Sequence, residues 1–231
     1  MMREIIVDTE TTGLDPLDGH RVVEIGCVEL VNHLPSGATF HVHIDPQRDM
    51  PQEAFRVHGL SREFLAGKPL FAAIADEFLS FIGDARLVIH NAPFDMKFLN
   101  HELDACARPA LDMARVTDTL ALARRRFPGS PASLDALCRR FAIDLSARTT
   151  HGALVDAQLL GAVYLELIGG REPGLRLNDA AGLGAGDIVH AALPARPAPL
   201  APLLSDDERD AHRAFVASFP APSRWGDGAE N

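Results

Sequence analysis

Cysteine is scarce in this chain: Cys27, Cys106 and Cys138 are the three in 231 residues, far apart and in apolar stretches. None belongs to a Cys-x-x-Cys pair, which excludes a disulfide framework and a thiolate zinc knuckle. Buried thiols in a reducing compartment are the expectation. Long apolar runs are also missing. None approaches the ~18 residues of a membrane-spanning helix, and the amino terminus has one Arg and a short run broken by Asp8, unlike a signal peptide. The sequence predicts a cytoplasmic protein with no membrane partner. Basic residues are outnumbered, 22 Lys and Arg against 32 Asp and Glu, for a formal net charge of −10. That is the wrong sign for holding nucleic acid by phosphate neutralisation. Either no nucleic acid is bound, or metal ions offset the acids and something else brings the substrate close.

What is present suffices for one domain with a substantial core plus extra segments. Arg3 to Asp8, Val22 to Leu30 and Thr39 to Asp45 read as strands. Asp18-Gly19 and Pro35-Ser36-Gly37 are the turn signals between them, and such short connections favour an antiparallel meander. A helix is expected from Pro51 to Val57, stopped at Gly59. Another runs from Pro69 to Ile82, with Phe71, Ile74, Ala75, Phe78, Phe81 and Ile82 on one stripe and Gly83 at its end. Leu87 to Ile89 is a short apolar strand leading through His90-Asn91-Ala92-Pro93-Phe94-Asp95 into a helix that reaches about Leu103. Arg115 to Asp118 is a strand followed by a helix to about Phe127. Leu134, Leu137, Cys138 and Phe141 mark a helix face, and Ala153 to Ile168 is a long helix closed by Gly169-Gly170. The fold class is α/β: a mixed sheet, three antiparallel strands then parallel ones, flanked by helices, with a flexible C-terminal tail. We place a domain at 1–170, a Gly/Ala/Pro-rich linker at 171–203 and a short helix with a tail at 204–231. Ser205-Asp206-Asp207-Glu208 is a capping box opening that helix. Ala211, Phe215 and Phe219 stripe it, and Trp225 follows.

The chemistry starts at Asp8-Thr9-Glu10-Thr11-Thr12-Gly13-Leu14. Positions i and i+2 of a strand share a face, so Asp8 and Glu10 stand side by side at the end of an apolar strand. Two like charges so close need a cation or a shared proton. Asp95 lies one turn into its helix. Asp156 lies in a helix that is apolar from Gly152 to Val163 apart from Asp156 and Gln158. A buried carboxylate with no Lys or Arg within a turn calls for a metal partner. His151 sits at the entrance of the same helix. Oxygen ligands select hard ions such as Mg²⁺ or Mn²⁺. Two such ions can clamp the attacking and leaving oxygens of a phosphodiester, while a histidine takes a proton from water.

Asp8-Thr9-Glu10-Thr11-Thr12-Gly13, His90-Asn91-Ala92-Pro93-Phe94-Asp95 and His151-Gly152-Ala153-Leu154-Val155-Asp156-Ala157-Gln158 together resemble the three motifs of the DEDDh 3′→5′ exonucleases. The likeness covers about residues 3–170 and is greatest to the proofreading branch, the epsilon subunits of bacterial DNA polymerase III. The resemblance implies a ribonuclease H-like fold and two divalent ions, Mg²⁺ or Mn²⁺, on Asp8, Glu10, Asp95 and Asp156. It implies that Asp8 bridges both ions, that Glu10 and Asp156 hold the one activating water, and that His151 is the general base. Thr11, Thr12, Leu14, Val57, His58 and Phe94 match positions that meet the terminal nucleotide, alongside Asp8, Glu10, His151 and Asp156. Asp118 matches a supporting acid.

The same resemblance implies a DNA 3′ end, single-stranded or frayed, as substrate and the polymerase catalytic (alpha) subunit as partner of residues 204–231. Glu172-Pro173-Gly174-Leu175-Arg176-Leu177 is similar to a sliding-clamp peptide, with Glu172 where such peptides usually begin with Gln. Two other readings stay open: a free-standing exonuclease trimming RNA or single-stranded DNA ends, and a non-catalytic adaptor.

Overall fold

A computed structural model describes residues 2–146, 150–169 and 205–218. Its centre is strand β1 (Arg3–Thr11). Ile5, Ile6 and Val7 have no polar neighbour among them because both faces of this strand are covered. Ile5 and Val7 join one core and Ile6 joins the other, as expected for a central strand of a helix-flanked sheet. β1 pairs antiparallel with β2 (Val22–Val31), which pairs antiparallel with β3 (Leu34–His43). On its other side β1 pairs parallel with β4 (Arg86–Ile89), and β4 with β5 (Val116–Asp118). The sheet order is β3-β2-β1-β4-β5, the mixed sheet that the sequence predicts.

Helices α1 (Gln52–His58), α2 (Arg62–Leu65), α3 (Phe71–Ile82) and α4 (Ala92–Ala105) follow the first three strands in the chain, with β4 between α3 and α4. α3 and α4 cover one face, burying Phe71, Phe78, Met96 and Phe98 against Ile5 and Val7. α5 (Thr119–Arg126), α6 (Leu134–Arg140) and α7 (Ala153–Ile168) cover the other, with Leu137, Leu160 and Val163 against Ile6 and Val88. Glu102 of α4 fastens the front of the sheet. It accepts two bonds from the Arg21 guanidinium, at 2.7 and 2.6 Å, and one from the Val22 N–H. Cys27 and Cys138 are buried, Cys106 is half-buried, and none of the three is joined in a disulfide among the described residues.

Three details differ from the sequence reading. The β2–β3 turn is made by Asn32 and His33, both left-handed (φ 51° and 65°), with Val31 opposite Leu34. This is the two-residue geometry that matches strand twist. Pro35-Ser36-Gly37, expected as the turn, lies inside β3. A proline is tolerated there because β3 is an edge strand, and a register shift between Val28 and Leu30 absorbs the irregularity. The four-residue α2, capped by the Ser61 side chain, is too short to show a periodic pattern.

The second unit contains α8 (Asp206–Ala217), opened by the Ser205–Glu208 capping box. None of the residues of α8 is buried, and Phe215 is exposed. The linker at 171–203, Glu172 to Leu177, Phe219 and Trp225 lie outside the described residues. Among the described residues no helix is long and apolar enough to cross a membrane.

Candidate active site

The site is built where β1 runs past its parallel neighbour. The ladder with β4 ends at Ile6 opposite Val88, while β1 continues to Thr11 paired only with β2. Asp8 and Glu10 therefore stand beyond the carboxyl end of a parallel strand pair, where open α/β sheets place their ligands. Across from them on β2 are Gly26 and Glu24. Gly26 lets α7 in. A Cβ there would lie 2.2 Å from the backbone carbon of Ala153, so only glycine admits the helix at this distance. The first turn of α7 then brings Asp156 over the acids of β1. Glu10, His151 and Asp156 each offer a ligand atom, and these lie within 4.8 Å of one another.

Glu10 and Asp156 are buried, Asp8 is half-buried and His151 is exposed. The Nδ1 of His151 lies 3.1 Å from Oδ2 of Asp156, and its backbone N–H donates to Val57 O at 3.3 Å. Burial raises the Asp8 carboxyl well above its ordinary range, and Asp95, Glu10, Asp156 and Glu24 push it the same way. Burial also raises Asp95, to about 7, against the opposing effect of the Thr9 hydroxyl, which donates to Asp95 Oδ1 at 2.8 Å. Asp8 thus lies in the field of the other three candidate acids. Such an array is self-repelling unless protons or cations enter it. Its oxygen donors, with one imidazole at the edge, fit hard divalent ions.

The approach to Asp95 is held by Asp118. Its Oδ1 accepts from the N–H groups of Asn91, at 3.1 Å, and Leu120, at 2.9 Å. Asn91 takes a left-handed conformation (φ 63°) at the start of α4, a geometry asparagine tolerates well. His90 Nδ1 lies 2.9 Å from the Thr119 hydroxyl.

The residues expected to meet a nucleotide gather at one cavity of about 520 Å³, lined by Glu10, Thr11, Thr12, Leu14, Val57, His58 and Phe94. Leu14 and Val57 are exposed at its edge, and Phe94 is half-buried. His58 is buried, and burial pushes its pKa down. Its Nδ1 accepts the Leu60 N–H at 3.0 Å, which leaves Nε2 to carry the proton. The two threonines are committed to the turn. Thr11 donates to Gly13 O at 2.6 Å, and the fully buried Thr12 hydroxyl accepts the Arg21 N–H at 2.9 Å. Asp8, His151 and Asp156 line a second cavity of about 590 Å³ with His90, Asn91 and Arg124. Asp95 is not among the residues lining either cavity.

Four contributors escaped the sequence reading. Thr9 was visible between the two acids but had no role until α4 was placed. Glu24, Gly26 and Arg124 carry no local signal, because each acts across elements distant in the chain.

The profile of the exonuclease family RNase_T matches residues 5–164. The DNA polymerase III subunit epsilon of Rickettsia conorii is 59% identical over 181 residues, covering 77% of this chain and 79% of that one. The same subunit of Escherichia coli K12 is 51% identical over 176 residues, covering 73% and 72%. The chain belongs to the epsilon-subunit family of exonucleases. An epsilon-family chain is a metal-dependent 3′→5′ exonuclease of the proofreading class. The fold agrees with two more distant solved structures. One is exonuclease X in complex with 5′-overhanging duplex DNA (TM-score 0.57, 24% identity, 71% of this chain and 90% of that one). The other is the nuclease domain of 3′hExo, a DEDDh family member, bound to rAMP (TM-score 0.60, 17% identity, 72% and 91%).

Proposed function

We propose that this epsilon-family exonuclease removes mispaired nucleotides from DNA 3′ ends, with Asp8, Glu10, Asp95 and Asp156 holding two divalent ions and His151 as general base. The ions, Mg²⁺ or Mn²⁺, would when bound stabilise the charge on the attacking and leaving oxygens. Asp8 lies in the field of Glu10, Asp95 and Asp156 and would serve both ions. Glu10 and Asp156, beside His151, would serve the water side, and Asp95 the other. Asp156 fixes Nδ1 of His151, so Nε2 would take the proton of the attacking water. The water oxygen bonds to phosphorus as the bond to the 3′ oxygen breaks. The products are a 5′-mononucleotide and a chain with a new 3′-hydroxyl.

Leu14, Val57, His58 and Phe94 would hold the terminal base and sugar, with Thr11 and Thr12 shaping the shelf beneath. Preference for a mispair follows from fraying, since unpairing costs least there. The observation that carries this reading is the convergence of Glu10, His151 and Asp156 within 4.8 Å, together with an Asp8 carboxyl raised by burial and, in the same direction, by its acidic neighbours.

We further propose that residues 204–231 bind the polymerase catalytic (alpha) subunit in the cytoplasm, and that Glu172 to Leu177 contacts the sliding clamp. The relatives' name and the exposed Phe215 on α8 support the first of these.

The test is an assay of the metal-stripped full chain on paired DNA, mispaired DNA and RNA, with Mg²⁺ or Mn²⁺ restored. Hydrolysis should need the ion, run fastest on the mispaired DNA end, and vanish in Asp8→Ala and Asp156→Ala. Wild-type rates in Asp8→Ala, or faster trimming of RNA than of DNA, would overturn the reading.

A further inference from the structure

Across β2 towards the edge strand β3, starting from the Glu24 that stands opposite Glu10, lies a different donor set. His43 lies opposite Glu24 and His41 opposite Gly26 in the β2–β3 ladder, so both imidazoles share a face with Glu24. Ligand atoms of Glu24, His41 and His43 all lie within 4.8 Å of one another. Nε2 of His41 is 2.6 Å, and Nε2 of His43 3.5 Å, from Oε1 of Glu24. The two rings meet edge to face with centroids 4.9 Å apart, and His43 packs at right angles on Phe64, centroids 5.0 Å apart.

We propose that Glu24, His41 and His43 form a second metal site, for a transition ion of the Zn²⁺ class, separate from the carboxylate site of hydrolysis. Two imidazoles and one carboxylate are a zinc donor set that leaves a fourth position for water. Imidazole suits Zn²⁺, Co²⁺, Ni²⁺ and Cu²⁺, whereas an all-oxygen cluster suits Mg²⁺ and Mn²⁺. The two sites therefore sort ions by ligand type. Tetrahedral ligands at zinc bond lengths are roughly 3.4 Å apart. The His43–Glu24 separation already has that value. His41 needs to withdraw by under about 1 Å, replacing a hydrogen bond with a coordinate bond.

Glu24 is buried, while His41 and His43 keep 34% and 24% of their side-chain surface open, which gives an ion access from the strand edge. The nearby cation Lys68 is held over the Phe64 ring, 4.6 Å from its centroid. The other oxygen of Glu24 accepts the Ala153 N–H at 3.1 Å, at the start of α7. An ion here would tie edge strand β3 to β2 and fix the carboxylate that seats the helix carrying Asp156.

The experiment uses the full chain loaded with Zn²⁺ in a large excess of Mg²⁺, desalted into Mg²⁺ buffer and analysed for metal. Co²⁺ is loaded in parallel, and its visible absorption reports tetrahedral nitrogen and oxygen ligation. Wild type and the Asp8→Ala/Asp156→Ala chain should each keep about one equivalent of zinc. His41→Gln/His43→Gln should lose it, with zinc affinity lowered at least ~10-fold, while keeping Mg²⁺-dependent hydrolysis. His43→Gln alone, with its fold checked by circular dichroism, should also lose the zinc and replaces the double variant if that one does not fold. No retained zinc in wild type, zinc retained without the histidines, or zinc lost with Asp8 and Asp156 would each overturn the proposal.

Discussion

Asp8 bears the electrostatic cost of the site. Its folded-state pKa lies above the unfolded value of ~3.9. The native state therefore holds this proton to higher pH than the unfolded chain does. The stability it contributes is complete below the unfolded value and is lost as pH rises through the folded one. Metal-free protein at neutral pH is penalised by this buried carboxylate. Asp8→Asn should melt a few degrees higher than wild type in chelator at pH 7.5, at ~2–4 °C per kcal/mol, and the gap should close as the pH approaches 4. A lower melting temperature at pH 7.5 would count against a cost from burying the charged carboxylate among its acidic neighbours. His151→Ala should act on rate alone. The exposed ring contributes little packing, so kcat should fall ~10²–10⁴-fold with an unchanged melting curve. Residues of this kind were legible because acids in apolar stretches demand a partner. Thr9 was not, because its hydroxyl gains meaning only from the 2.8 Å contact with Asp95.

Among the elements, α7 and its seat on β2 decide whether the site assembles. Gly26→Ala places a Cβ 2.2 Å from the Ala153 backbone, so the helix start must move outward. Overpacking of this kind costs ~1–3 kcal/mol. Exonuclease rate should fall further than that stability loss explains, because Asp156 and His151 ride on the displaced turn. Equal activity in Gly26→Ala would mean that the close approach is incidental. α7 and α3 could be read in the sequence because an apolar stripe or an all-apolar run leaves few alternatives. The β2–β3 turn could not. Pro35-Ser36-Gly37 has the stronger local turn composition, but the ladder across β2 sets the register and moves the reversal to Asn32-His33.

At the scale of the whole molecule, a net charge of −10 has to be reconciled with a nucleic-acid end as substrate. Attachment to the polymerase through residues 204–231, as proposed above, would do this without basic surface by raising the local concentration of the exonuclease at its substrate. Deleting residues 204–231 should leave hydrolysis of single-stranded DNA and the melting temperature unchanged, and abolish copurification with the polymerase. Retained copurification would locate the contact elsewhere. The capping box of α8 was legible because Ser205 and Glu208 act within one turn.

β1 is hydrogen-bonded along both edges from Glu4 to Ile6 and sealed between two cores. Such a strand opens only when the molecule unfolds globally, whereas loops and termini open locally at far lower free energy. The strand that bears Asp8 and Glu10 is thus among the last to exchange its amide hydrogens with solvent. Heat inactivation should coincide with loss of the fold, and a copy that is still folded keeps its acids in place.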